Sequence, residues 1–143
     1  DQLGRATWPS PLRIVAIDGR TGIRHVFDRD AGVPLARAVA ASTAIPALVG
    51  AVPIGGSAYF DAGVADTTSA DLAAGYDRVT IIVPNPRPPL EDHVRMLRAG
   101  GAEVVTVLPS DLRVLGAGQR RLDAAGQPES FALGERDGRS IPA

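Results

Sequence analysis

The chain has 143 residues, of which 45% are hydrophobic and 22% charged, with 16 acidic and 15 basic side chains and a formal net charge of -1. These are ordinary values for one folded domain with its own core, and they exclude disorder along the whole length. No block of like charge marks a nucleic-acid partner or a polybasic membrane anchor, and the absence of cysteine excludes a disulfide framework or a cysteine-ligated metal site.

Every basic residue is arginine, among abundant Ala, Gly, Pro and Val, a codon bias expected of a GC-rich bacterial genome. The longest apolar run is too short to span a bilayer and no signal peptide opens the chain. The cytoplasm is therefore the expected compartment. The chain begins at Asp1 and its one methionine is Met96, so further polypeptide is expected upstream.

In chain order, Leu12 to Ile17 reads as a short strand closed by the turn Asp18-Gly19-Arg20-Thr21-Gly22. Ile23 to Phe27 alternates apolar and polar residues, so the two predict a hairpin. Pro34 suits the first position of a helix over Pro34 to Ser42, with Leu35, Ala38, Val39 and Ser42 on one face. Pro46 forces Ile45 out of helical geometry. Val52 to Ile54, Gly55-Gly56 and Ser57 to Phe60 predict a second hairpin, followed by Asp61-Ala62-Gly63-Val64. Thr68 with Asp71 has the spacing of a capping box for a helix over Ser69 to Ala74, stopped by Gly75.

Val79 to Val83 is a continuous apolar run, as in a strand buried on both faces. Pro84 to Pro89 reads as a rigid loop and Glu91 to Ala99 as a helix ended by Gly100-Gly101. Glu103 to Leu108 reads as another buried strand. Strand, helix, strand in this order predicts a βαβ unit and a parallel sheet. Two further helices are expected near Gln119 to Ala125 and Glu129 to Arg136. Two buried parallel strands are thin for a stable sheet, which again points to strands upstream.

Two motifs stand together in the middle of the chain: Ala40-Ala41-Ser42-Thr43-Ala44-Ile45-Pro46 and, after a short hairpin, Tyr59-Phe60-Asp61-Ala62-Gly63-Val64. At this separation the pair resembles the patatin-like phospholipase family, whose members carry Ala-Ser-x-Ala-x-Pro followed by an Asp-Gly-Gly or Asp-Gly-Ala motif. The resemblance runs from Leu35 to Val83 and implies an α/β fold, a three-layer α/β/α sandwich with a mostly parallel central sheet. Residues 1–143 would be the C-terminal half of that domain.

The resemblance also implies the chemistry. Family members hydrolyse acyl esters of lipids with a Ser-Asp dyad, because a serine hydroxyl is a poor nucleophile until a base lies within hydrogen-bond reach. Asp61 matches the catalytic aspartate, with Ala62 and Gly63 completing the motif after it. The nucleophile is not in this chain: Gly-x-Ser-x-Gly is absent, and the nearest string, Gly55-Gly56-Ser57-Ala58-Tyr59, lacks the last glycine. Serine and oxyanion glycines are expected upstream, and this segment alone is expected to be inert. The implied partners are an acyl lipid, the upstream half of the same domain and, transiently, a membrane surface. No metal or organic cofactor is implied.

Ala62 departs from the family, which has glycine there. If the position requires positive φ, alanine costs about 1 kcal/mol or more, and the rival reading is an α/β segment that binds a ligand or scaffolds an assembly after losing the dyad. Ser42 reads as a packing residue bonded to a preceding carbonyl, and Ser57 as a hairpin residue. His25 and His93 have no metal-ligand spacing and read as surface residues. Asp66, Asp71 and Asp77 lack calcium-loop spacing. Gly55-Gly56 and Gly100-Gly101 read as turns, and Trp8 as packing against the core.

Overall fold

The computed structural model describes residues 6–111, 126–139 and 141. The chain divides into two compact units, Asp1–Ala65 and Asp66–Ala143.

The first unit holds β1 (Ile14–Asp18), β2 (Arg24–Phe27), α1 (Leu35–Ser42), β3 (Val52–Ile54) and β4 (Ser57–Asp61). Its four strands form one sheet in the order β2-β1-β4-β3, and every pairing is antiparallel. Both expected hairpins are present, and tight turns leave a chain no other way to return. At Gly55 and Gly56 φ is 55° and 83°, the left-handed pair that a two-residue hairpin turn requires. The expectation of a mostly parallel sheet is thus corrected for this unit: two of its pairings are tight hairpins, whose short turns allow only antiparallel strands, and β1 and β4 join the hairpins antiparallel as well.

Direct cross-strand partners share a sheet face. Ala16 pairs with His25 on one side and with Asp61 on the other, and Asp18 pairs with Tyr59. Ala16, Tyr59 and Asp61 therefore share one face, and α1 packs against β1, β3 and β4. The helix does this with Leu35, Ala38 and Ala41, one turn apart, rather than with the expected Val39 and Ser42. Ala16, Ala38 and Ala41 are each 0% exposed; with so little side chain, helix and sheet pack closely around Phe27 and Tyr59. Trp8 packs against the same cluster and donates its indole N–H to Val33 O at 2.7 Å.

The second unit holds β5 (Arg78–Ile82), α2 (Leu90–Ala99), β6 (Glu103–Val107) and α3 (Gln127–Gly138). β5 and β6 pair in parallel, Val79 opposite Val104 and Ile81 opposite Thr106, with α2 as the crossover; the βαβ expectation holds here. The strand is not buried on both faces, however. Val79, Ile81 and Val83 pack with Leu90, Leu97 and Val104, whereas Ile82, on the opposite face, is 71% exposed. One helix covers one face, so the run is apolar without alternation yet buried with alternation.

The expected helix over Ser69 to Ala74 is a shorter 3-10 turn, Ala70–Ala73. Thr68 does not cap it; Ser69 enters it at φ 47°, and the Thr68 backbone N–H donates to Asp66 Oδ1 at 3.0 Å. The helix expected near Glu129 to Arg136 is present within α3, and the one near Gln119 to Ala125 lies outside the described residues. Among the described residues no helix is long and apolar enough to cross a membrane.

Candidate functional site

Asp61 ends β4 and starts a 3-10 turn over Ala62–Val64. Its backbone N–H donates to Ala44 O at 3.0 Å, which ties the strand end to the residue that leaves α1. Its Oδ1 accepts from Gly63 N–H at 2.7 Å. Asp61 is half-buried on the face shared with Ala16 and Tyr59. The Ala-Ser-x-Ala-x-Pro segment and the Asp-x-Gly segment, separate in sequence, thus meet at one backbone hydrogen bond.

Both flanking residues have a physical reason to be small. A Cβ on Gly63 would stand 3.0 Å from Asp61 Oδ1, so the carboxylate would have to give by a few tenths of an ångström; glycine leaves it in place. Ala62 is 6% exposed, and among the described residues only Ala47 and Ser69 are non-glycines with positive φ. The conditional cost at Ala62 does not arise: the turn accepts alanine there without a left-handed backbone.

The remaining polar residues singled out from the sequence fall into place differently. Ser57 is a hairpin residue as expected, donating its hydroxyl to Asp18 Oδ2 at 2.8 Å. Asp18 Oδ1 also accepts the Arg20 N–H at 2.8 Å. The Ser57 hydroxyl, followed by the Arg20 amide, holds the Asp18 carboxyl below the ordinary carboxylate range. Behind α1 it is Thr43, one residue after Ser42, whose hydroxyl donates back to Val39 O at 2.9 Å. His25 is exposed and stacks obliquely on Phe27, ring centroids 4.4 Å apart.

His93 is not the surface residue expected. Its side chain is 14% exposed, with Nε2 at 3.8 Å from Asp66 Oδ2 and 3.9 Å from Asp71 Oδ1. No sequence signal marks this cluster, because its members come from a loop, a 3-10 turn and a helix. The second unit also has an open, mainly aliphatic pocket of about 270 Å³ at the C-terminal ends of β5 and β6, against α3, with Ile82, Val107, Leu108 and Leu133 in its wall. Ligands commonly lie at this end of parallel strands.

The profile of patatin-like phospholipases matches residues 3–74. It takes in both hairpins, α1 and the Asp61 turn, and so begins earlier and ends earlier than the resemblance read from the motifs. None of the curated proteins compared matches the chain. A family match over half the chain, which takes in the segments that the Asp61 turn joins, makes this chain a member of the patatin-like phospholipase family.

Proposed function

We propose that this chain supplies the base of a lipid acyl hydrolase: Asp61 acts in a Ser-Asp dyad, and the serine comes from polypeptide upstream of Asp1. Membership of a family that is generally hydrolytic supports the reaction class. The observation that carries the role of Asp61 is its single fixed oxygen. Gly63 N–H holds Oδ1, which sets the plane of the carboxylate and leaves Oδ2 for a serine hydroxyl.

The steps follow from that arrangement. Serine Oγ attacks the ester carbonyl while its proton passes to Asp61, and the proton then goes to the departing alcohol. An acyl-serine results. Water, deprotonated by Asp61, attacks the acyl carbon; the acyl–Oγ bond breaks, the proton passes from Asp61 to serine Oγ, and the fatty acid leaves. The substrate is a lipid at a membrane surface, and the exposed apolar residues after α1, Ile45, Leu48 and Val49 at 37%, 55% and 51%, suit brief contact with such a surface. Ala62 gives no support to the rival, non-catalytic reading, since its backbone is unstrained.

The test uses the protein carrying both halves. A fluorophosphonate probe labels it on serine, and Asp61→Asn lowers ester turnover about 10²–10⁴-fold with an unchanged circular dichroism spectrum. The 143-residue chain alone stays unlabelled. A folded two-half protein that takes no label, or an Asp61→Asn variant with full turnover, overturns the reading.

A further inference from the structure

We infer that residues 45–50, the loop between α1 and β3, are a docking element that enters neutral, phosphatidylcholine-type lipid surfaces by apolar contact alone; the choice of a lipid as partner rests on the hydrolase reading. Ile45, Pro46, Ala47, Leu48, Val49 and Gly50 are all exposed. A run of apolar residues facing water is unfavourable unless something covers it, and such runs mark protein or membrane contact sites.

The backbone of the loop is prepared for an apolar phase. Pro46 has no amide proton. The Ile45 amide donates to Thr43 O at 3.0 Å, and the amides of Leu48 and Val49 both donate to Ile45 O, at 3.2 and 2.9 Å. A polar group carried into hydrocarbon without a partner is costly, so a turn that bonds its own amides lowers that cost for the side chains at its tip. Ala47 enters this turn at φ 65°, a left-handed conformation unfavourable for alanine, and backbone strain of this kind gathers at binding sites. Protein interfaces carry about ten direct hydrogen bonds. A loop that spends its amides on itself and has no polar side chain suits lipid instead.

Charge fixes the kind of lipid. No charged residue stands between Arg37 and Asp61. The Arg37 guanidinium is itself occupied, Nε and Nη2 donating to Pro53 O at 2.9 and 2.6 Å. Docking on anionic membranes draws on Lys and Arg beside the apolar contact; a loop without them gains nothing from anionic headgroups, and its binding is insensitive to salt. The position serves the reaction as well. The loop starts at the residue after Ala44, whose carbonyl accepts the Asp61 amide at 3.0 Å, so docking brings the Asp61 turn to the lipid.

The test is co-sedimentation of the protein carrying both halves with phosphatidylcholine vesicles. It binds equally at low and high salt, and replacing part of the phosphatidylcholine with phosphatidylserine does not tighten binding. Leu48→Ser with Val49→Ser weakens binding by at least about tenfold with an unchanged circular dichroism spectrum, and Leu48→Ser alone gives a smaller loss. Phe131→Ser, which removes an exposed ring from α3, leaves binding unchanged. Binding is read without turnover, so the two readings fail separately. A protein that takes the fluorophosphonate label yet ignores vesicles overturns the docking element alone; one that binds vesicles but takes no label overturns the dyad alone. Binding that needs phosphatidylserine, fades with salt, survives the double substitution or falls equally with Phe131→Ser also overturns the inference. So does binding by the 143-residue chain that vanishes in the two-half protein, which would show that the upstream half covers the loop.

Discussion

Asp61 and Asp66 lie in neighbouring stretches of chain, and each has one carboxylate oxygen fixed by the amide two residues on, yet their surroundings differ. Asp61 is held by its own turn: one oxygen is fixed by the amide two residues on, and the strand end is anchored to Ala44. Asp66 is held by the Thr68 amide and hydroxyl, and it lies close to Asp71 of the 3-10 turn and His93 near the start of α2. A locally held carboxylate presents one oxygen to a partner, which suits proton transfer. The Asp66 group instead draws its neighbours from three separate segments of the chain. The same local turn thus yields different surroundings, depending on which distant segments meet it.

Substitutions can break that contrast. Gly63→Ala should have the largest effect: the added Cβ must displace Asp61 Oδ1 by a few tenths of an ångström. Misplacement of about 1 Å can cost about 10²-fold, so a fall of roughly tenfold in kcat is expected, with little change in Tm. Equal kcat would show that the local hold is dispensable. Gly56→Ala tests the hairpin that brings β4 into register. Its φ of 83° makes alanine cost about 1–2 kcal/mol, readable in urea denaturation, whereas an unchanged midpoint would detach the register from the turn.

Ala62→Gly should do less. Restoring the usual family residue gains nothing in backbone strain and loses about 0.5–1 kcal/mol through chain entropy, so Tm drops slightly and kcat does not rise. A rise in kcat would show that alanine does distort the dyad. The smallest effect concerns pH. Because the Asp18 carboxyl is held below its ordinary range by Ser57 and Arg20, its ionised form favours the folded state. That contribution is full above the unfolded value of about 3.9 and fades as pH falls through the lower folded value. Ser57→Ala should lower stability at neutral pH and converge with the parent chain in acid, which flattens the acid limb of the stability curve; an unaltered neutral-pH stability would show that the Ser57 bond adds nothing.

Much of the first unit was legible because its signals are local. Gly55-Gly56 demands a tight turn, Pro34 opens a helix, and the paired motifs around Ser42 and Asp61 mark the family. The second unit misled at points where burial decides. Val79 to Val83 reads as buried on both faces from composition, yet only alternate residues meet α2. Thr68 with Asp71 has capping spacing, but Asp66 competes for the Thr68 amide and the helix shortens to a single 3-10 turn. His93, a lone histidine among charged helix residues, carries no pattern that a reader could use.

By itself the sequence determined the hairpins, the helix after Pro34, the βαβ unit and the aspartate worth watching, since each depends on backbone preferences within a few consecutive residues. Only the tertiary structure decided that the larger sheet is antiparallel, that Gly63 gives the Asp61 carboxylate clearance without a left-handed backbone, and that His93 faces two aspartates. Those depend on which atoms from distant segments come to lie within a few ångströms, and residue type and spacing along the chain do not encode that distance.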